Sequence, residues 1–399
     1  MFRLSKFIFE VTVIHGKQTE GTHLNRIKVT MFIQVLNSFI SGVLSIVLPL
    51  AMMERNIEIA TIGLIFASLP MIFQLARIFF AVLSDFLGRK LFFILNGLFS
   101  VISNVVYYFA YTPLQFVFGK VTEGTKSAAI WAVNRPFLLE ESEDKRKALV
   151  HLRAFVYIST AVGSLLAGFL IVWLFYPNTL MLCILLGAVV VPASLFLTNS
   201  KKKSFSLRHA MRYLDLRNKG RMFTLFLLLF FMMGLSLGFR SGYVFPLFLN
   251  ENGFDAETIG VLIGGQTLLA GLTSYMFTKK IRIERLILLS GFFYSALLLL
   301  LGFSNDLSAA LFIVILGVVD GLVSGGQEGV LFKIAKKESY GTDIGLLMIG
   351  IHGGTTISLA LSGFLISSWG FLAPFLFSAL VFAAFYAPAY TLLKQQKPL

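Results

Sequence analysis

The amino-acid sequence predicts an all-α integral membrane protein in which twelve transmembrane helices form two six-helix bundles. Three observations lead to this fold class: the composition, the number of long apolar segments and an internal repeat. The chain is 57% hydrophobic and 14% charged, whereas soluble domains carry about 25% charged residues. The net charge of +14 would suit nucleic acid binding, but its placement in loops favours a membrane topology instead.

Apolar segments of about 20 residues are long enough to cross a bilayer as helices. We identify twelve, at residues 28–51, 59–82, 90–110, 114–135, 149–173, 178–198, 222–249, 257–278, 286–304, 307–332, 344–368 and 371–393. The connecting loops are short, so no additional soluble domain is expected. With six spans each, both halves enter the membrane from the same side and are related by an axis along its normal.

Short patterns recur at an offset of 197 residues along the chain. Pro49 in Val-Leu-Pro-Leu has its counterpart in Pro246 of Val-Phe-Pro-Leu, and Glu123 in Val-Thr-Glu-Gly corresponds to Asp320 in Val-Val-Asp-Gly. A repeat of this length in so apolar a chain indicates two stacked half-proteins. Glu123 and Asp320 are therefore expected at similar depth, facing one central cavity.

Lysine and arginine orient the chain. They fill one set of loops and both tails, whereas the opposite loops hold Arg55 among acidic residues. By the positive-inside rule, both termini of this multi-pass cell-membrane protein are cytoplasmic. The predicted organisation is an N-terminal tail (1–27), an N-terminal six-helix bundle (28–198), a basic cytoplasmic linker (199–221), a C-terminal six-helix bundle (222–393) and a C-terminal tail (394–399).

Two segments stay open at this stage. Residues 1–26 lack a cleavage site for a signal peptide, and they suit a surface helix, a disordered tail or an over-extended start. The linker alternates apolar and basic residues, which fits either an amphipathic helix on the membrane or a solvated tether.

The loop between the second and third spans carries the most specific motif. An acidic residue at a helix end can accept backbone N–H bonds, and a following glycine permits a tight turn. The segment resembles the cytoplasmic signature of the major facilitator superfamily, Gly-x-x-x-Asp-Arg/Lys-x-Gly-Arg-Arg/Lys. The matching residues are Asp85, Gly88, Arg89 and Lys90; the departures are Ala81 and Phe86.

This resemblance covers residues 28–393 and implies the two-bundle fold of that superfamily, with a conformational gate on the cytoplasmic side. Asp85, Gly88, Arg89 and Lys90 would then belong to a latch between the halves, and Arg135 is the expected partner of Asp85. Replacing Asp85 by Asn is expected to favour the inward-open conformation.

Charged and polar residues inside the spans are the candidate substrate and coupling groups, because such residues normally face a cavity or one another. By resemblance, helices one, four, seven and ten line the central cavity. The candidates lie on these four helices: Asn37, Lys120, Glu123, Lys126, Arg240, Asp320, Gln327 and Glu328.

Two interpretations of these groups remain open. Lys120, Glu123 and Lys126 form either a structural salt-bridge network or a substrate and proton site. Asp320 has no basic neighbour on its own helix, which favours proton coupling. Glu328 could pair with Lys333, and Arg240 could bind an anionic group or pair with Asp320. These three acids and three bases leave the sign of the substrate's charge open.

Other intramembrane residues are expected to have structural roles. Arg77 and Arg153 lie near cytoplasmic helix ends and can extend to the interface. His352 is expected to be a hydrogen-bonded packing residue rather than a proton relay, and Trp131 part of the cavity wall or lipid face. Small residues around Gly168, echoed near Gly363, allow close helix packing.

The sequence predicts a secondary active transporter rather than an enzyme. It has neither a phosphate-binding Gly-Lys-Ser/Thr loop nor metal-ligand spacing, so no cofactor or metal is expected. The expected partners are a small-molecule substrate, protons and the lipid bilayer, with the protein a monomer. Resemblance to short drug exporters favours export of an amphipathic compound, although Ser164 and Ala167 depart from the antiporter motif of helix five. Proton-driven uptake of a sugar, organic anion or peptide is the alternative, as is a non-transporting sensor or scaffold.

Overall fold

A computed structural model describes residues 18–142, 145–198, 219–277, 281–335 and 340–395. These residues form helices and connecting turns, with no β-strand within the described ranges. The twelve helices of these ranges are α1 (Gln18–Glu54), α2 (Ile59–Leu87), α3 (Arg89–Phe109), α4 (Pro113–Glu141), α5 (Lys145–Leu195), α6 (Arg221–Gly238), α7 (Val244–Glu251), α8 (Ala256–Phe277), α9 (Ile283–Gly302), α10 (Asp306–Ile334), α11 (Tyr340–Trp369) and α12 (Leu372–Gln395).

Ten of these helices are long and apolar enough to cross a membrane. The other two are α4, which carries the charged residues singled out above, and α7, which has eight residues. The all-helical fold expected from the sequence is thus confirmed. Residues 1–17, most of the predicted linker and residues 396–399 lie outside the described ranges, and α1 begins at Gln18, ahead of the span predicted to start at 28.

Two predicted spans have different boundaries in the structure. Spans five and six form the single element α5, interrupted at Phe175, whose φ of 62° is non-helical. The seventh span, predicted as one helix over 222–249, is divided into α6 and α7 by a turn that includes Gly242 at φ 66°. Glycine adopts this left-handed conformation without the steric penalty of a side chain. The division places Arg240 in the turn between the two helices.

Each half of the chain packs largely within itself. In the first half, α5 packs on α1 and α3, and α4 packs on α2 and α3. In the second half, α10 packs on α8 and α9, while α6 packs on α11 and α12. Apolar side chains fill these contacts, including the buried Phe226, Phe230, Phe375 and Phe382.

The most extensive contacts between the halves are those of α5 with α8 and of α2 with α11. Small residues line both contacts. A Cβ on Gly264 would lie 2.8 Å from the carbonyl oxygen of Ala161, and one on Gly363 would lie 2.6 Å from that of Ile59. The backbones therefore approach too closely for larger side chains, as expected for glycine-lined helix contacts in membranes.

The two membrane faces are bridged differently. We define the basic face as the side with the α2–α3, α4–α5 and α10–α11 connections, and the acidic face as the opposite side. At the acidic face α1 packs directly on α7, and the rings of Phe66 and Tyr243 lie 5.3 Å apart. At the basic face long polar side chains of α4 and α5 reach α10.

Candidate functional site

Helix α4 holds a buried cluster of charges in the N-terminal half. Lys120, Glu123 and Lys126 follow one another at intervals of three residues, so they share one face of the helix. The Lys120 ammonium lies 2.9 Å from Glu123 Oε2, and the hydroxyl of Tyr107 on α3 donates to the same oxygen at 2.6 Å. Lys120 Nζ also lies 4.3 Å from the centre of the Phe66 ring. Glu123 is thus bonded within its own half.

Lys126 differs from its neighbours on α4. Its side chain is almost fully buried, with 1% exposure, and its Nζ has no hydrogen-bond partner among the described residues. The backbone carbonyl of Lys126 accepts a bond from Asn96 Nδ2 at 3.0 Å. Asn37 of α1 donates in turn to Asn96 at 2.8 Å, so this candidate lies in a polar network inside the N-terminal half.

A second buried cluster surrounds Asp320 in the C-terminal half. Arg240 donates to both carboxylate oxygens of Asp320. Gln266 of α8 donates to Oδ2 at 2.8 Å. The Nε–H of Arg240 bonds to the hydroxyl of Tyr294 on α9 at 2.6 Å. The carboxylate therefore has a cationic partner from another element, although its own helix supplies none.

This cluster resolves one alternative and adds two residues. Of the two roles considered for Arg240, the structure contains the pairing with Asp320. Gln266 and Tyr294 were not identified from the sequence. Gln266 was the more detectable of the two, because an amide in an otherwise apolar span requires a partner. Tyr294 gives no comparable signal, since tyrosine is frequent in membrane helices.

A third cluster crosses between the halves near the basic face. Glu328 of α10 accepts Arg153 of α5 at 2.6 Å, and its distance to Arg135 of α4 is 3.8 Å. Arg153 also donates to Ser324 at 2.6 Å, and Tyr157 lies 2.8 Å from the same hydroxyl. Charge-assisted bonds of Arg153 tie α5 to α10, and the longer Arg135–Glu328 ion pair brings α4 into the same cluster.

These contacts correct three expectations. Glu328 does not pair with Lys333, which lies 3.0 Å from Glu284 on α9. Arg135 contacts Glu328 rather than Asp85, because the end of α4 faces the opposite half. Arg153 does not extend to the interface but turns inward. Gln327, on the α10 stripe of candidates, donates its amide to the sulfur of Met348 at 3.7 Å.

The predicted gate motif lies where α2 meets α3. Gly88 joins the two helices at φ 88°, a value that favours glycine. Arg89 lies 2.6 Å from Glu140 and 4.0 Å from Asp85, so its nearer carboxylate comes from the end of α4. Lys90 Nζ donates to the carbonyl of Leu195 at 2.6 Å. These contacts hold the basic-face ends of the first half together.

No group of three or more potential metal-ligating side chains occurs within the described residues. Cys183, the single cysteine of the chain, is buried and has a free thiol.

Comparison with known families identifies the fold. The family model of the Major Facilitator Superfamily matches residues 30–346 and 226–398, together nearly the whole chain. The chain belongs to the Major Facilitator Superfamily. The resemblance seen in the α2–α3 loop is thereby confirmed, and the protein is a multi-pass membrane protein of a transporter family.

Solved structures of transporters share this fold. The chain is similar to a point mutant of the nucleoside transporter NupG, with a TM-score of 0.75 and 14% identity over 93% of this chain and 100% of that one. It is also similar to the human organic anion transporter MFSD10 (TETRAN), with a TM-score of 0.67 and 15% identity over 92% and 99%. Comparison with curated protein sequences gave no match.

Proposed function

We propose that this member of the superfamily is a secondary active transporter that moves a small molecule across the cell membrane by alternating access. The halves at residues 28–198 and 222–393 tilt about the α5–α8 and α2–α11 contacts, so that a central site opens to each face in turn. The basic face is cytoplasmic in this proposal, and protons are the coupling ion.

The observation that carries the proposal is the Arg240–Asp320 ion pair at the break between α6 and α7. Interrupted helices mark the binding sites of many transporters, since the freed backbone groups and polar side chains there line a cavity. A buried ion pair is also weak as a stabilising device, because desolvation offsets most of the attraction. A functional role accounts better for its presence in the membrane.

Coupling follows from the charge balance of this pair. A proton on Asp320 removes the counter-ion of Arg240, and the buried guanidinium then requires another negative or strongly polar group. A substrate group can supply it. Loss of the proton restores the pair and expels the substrate. Glu123 has a fixed hydrogen-bonded environment and plays the lesser part.

The gate at the basic face consists of two layers in this proposal. Glu328 with Arg135 and Arg153 closes the inner layer between the halves. The outer layer is Asp85, Gly88, Arg89 and Lys90, which holds the α2–α3 junction against α4 through Glu140. Opening of the basic face requires the inner layer to break, and weakening of the outer layer favours that opening.

Flux measurements in proteoliposomes test the proposal. Purified protein is reconstituted, a pH gradient is imposed, and accumulation is followed for a panel of amphipathic drugs, sugars, peptides and organic anions. We expect gradient-dependent accumulation with the wild-type chain, and none with Asp320→Asn, which still exchanges substrate at equal pH. If Asp320→Asn concentrates substrate on the pH gradient as well as wild type does, Asp320 is not the coupling group.

The direction of pH-driven movement separates the candidate functions. Substrate moving with the protons identifies an uptake symporter, the direction that joint binding of proton and substrate at the Arg240–Asp320 pair favours. Movement against the proton flow identifies the exporter that the sequence resemblance favours. Absence of flux for the whole panel, with a correctly folded protein, would favour a sensor or scaffold built on a transporter fold.

A further inference from the structure

The charged residues near the basic face do not balance. Arg135 of α4 and Arg153 of α5 contact Glu328, the one carboxylate paired with either of them among the described residues. Arg77 of α2 lies close enough to Arg135 for the two guanidinium groups to repel each other. All four lie within about three turns of the helix ends at this face, and we refer to these four residues as the arginine layer. Three guanidinium groups against one carboxylate leave this layer positively charged.

Of these three arginines, Arg77 is the one without an ionic partner in the described part of the chain. Its guanidinium lies 5.8 Å from the centre of the Phe73 ring. The imidazole of His352, from α11 in the other half, contacts the same ring edge-on at 4.9 Å. The Nε2 of His352 is buried and has no hydrogen-bond partner among the described residues. The Arg77 guanidinium and the His352 imidazole, from opposite halves, thus approach the same ring, and no carboxylate pairs with either of them among the described residues.

The other two guanidinium groups keep free surface. The side chains of Arg135 and Arg153 are 35% and 33% exposed although both residues lie within their helices and contact Glu328. Each therefore retains N–H groups that Glu328 does not occupy. A planar guanidinium with free N–H groups binds carboxylate, sulfonate or phosphate oxygens in bidentate geometry.

Aromatic rings stand beside each of these cations. Arg135 lies 5.4 Å from the centre of the Trp131 ring, and Arg153 lies 6.0 Å from that of Tyr157. With Phe73, which lies beside Arg77, they provide flat apolar surfaces next to the charged groups. Such walls suit the body of an organic molecule, while the guanidinium groups suit its negatively charged ends.

We propose that the three arginines of the arginine layer, together with His352, form a binding site for an organic anion that carries at least two negative charges, and that such anions are the substrate class. The inference rests on the transport function proposed above. It assigns a negative charge to the substrate, whose sign the sequence leaves open. Arg77 is the first contact of the anion. Binding between the halves also competes with Glu328 for Arg135 and Arg153, and so loosens the inner gate.

A binding assay tests the substrate class independently of transport. The protein is placed in nanodiscs of phosphatidylcholine, which bring no anionic headgroup, and two dyes with the same xanthene core are titrated: fluorescein, a dianion at mildly alkaline pH, and rhodamine 6G, a cation. Fluorescence polarisation reports binding. We expect saturable binding of fluorescein and at least about tenfold weaker binding of rhodamine 6G.

Three variants assign the binding to this layer. Arg77→Gln should weaken fluorescein binding at least about tenfold, and Arg77→Lys, which keeps the charge without the planar fork, should fall between. Arg282→Gln is the matched control: it removes the same charge from a side chain that is 72% exposed on the basic face. It should bind fluorescein like wild type.

The outcomes are decisive in either direction. Equal or tighter binding of rhodamine 6G, absence of saturable fluorescein binding, or equal losses with Arg77→Gln and Arg282→Gln would each overturn the proposal. Fluorescein binding that depends on Arg77 supports it even if no flux is found, in which case the transport proposal fails and the anion site stands.

Discussion

The two halves of the molecule hold equivalent carboxylates in unlike surroundings. Glu123 is bonded to Lys120 on its own helix and to Tyr107 on the adjacent α3, and Lys126 adds a second, unpartnered ammonium. Asp320 is bonded by groups from α8 and from the turn between α6 and α7. The first cluster is local and carries an excess positive charge, whereas the second is assembled from distant segments and is neutral.

This difference indicates a division of roles between repeat partners. A carboxylate bonded to a neighbour three residues away keeps that partner in any arrangement of the helices. The partner of Asp320 lies in a turn between helices, and its position depends on how α6, α7 and α10 are arranged. The pair can therefore form and break when helices move, which is what coupling requires. The predictions below test this contrast.

The largest effect is expected from leaving Arg240 without its counter-ion. Asp320→Asn should reduce the free energy of unfolding by about 3–5 kcal/mol, as when one member of a buried ion pair is removed. The double variant Asp320→Asn/Arg240→Gln should recover most of this loss. Thermal unfolding in nanodiscs measures both. If the double variant loses as much stability as Asp320→Asn and Arg240→Gln lose in sum when measured singly, the two residues are not coupled.

In the N-terminal cluster, removing the charge of one of the two lysines should increase stability rather than reduce it. Lys126→Met replaces an ammonium without a hydrogen-bond partner by an apolar side chain of similar length, and should raise the free energy of unfolding by about 1–3 kcal/mol. Lys120→Met is the control, and it should lower stability because it removes the partner of Glu123.

Transport by the same two variants distinguishes the structural from the functional interpretation of the α4 charges. A Lys126→Met protein that is more stable and transports normally has lost a structural residue. One that is more stable but inactive has lost a substrate or coupling group. Destabilisation by Lys126→Met would contradict the assignment of an unpartnered ammonium.

A smaller effect is expected at the inner gate, because Glu328, Arg135 and Arg153 are partly exposed. Glu328→Gln should change stability by no more than about 1 kcal/mol, but it should shift the population toward a conformation that is open at the basic face. Reactivity of a single cysteine at Ser127→Cys on α4, in a Cys183→Ser background, reports this opening. The matched variant Glu284→Gln, whose partner Lys333 lies in the same half, should leave labelling unchanged.

The smallest effect is expected at Asp85, which is 38% exposed and 4.0 Å from Arg89. Asp85→Asn should shift labelling of the same cysteine only slightly toward the open conformation, and Glu140→Gln should shift it more because Glu140 is the closer partner of Arg89. The reverse order would restore Asp85 as the principal latch. Unchanged labelling and transport in both variants would remove the outer layer of the gate.

Features that depend on neighbouring positions could be predicted from the chain alone. Apolar length defined the spans, because a helix needs about 20 apolar residues to cross the hydrocarbon core. The α2–α3 motif indicated the superfamily, since its residues are contiguous. The Lys120–Glu123 pair followed from helical periodicity, because residues three apart meet on one helix face.

Features that join distant segments required the tertiary structure. The sequence alone does not indicate the break between α6 and α7, which places Arg240 next to Asp320. Gln266 and Tyr294 complete that cluster from two further helices. Likewise Arg77 and Arg153 read as residues that extend to the interface, because snorkelling depends on a single helix. Only the packing of α4 and α5 against α10 turns Arg153 toward Glu328 of the other half, because this contact joins helices that are distant in the chain.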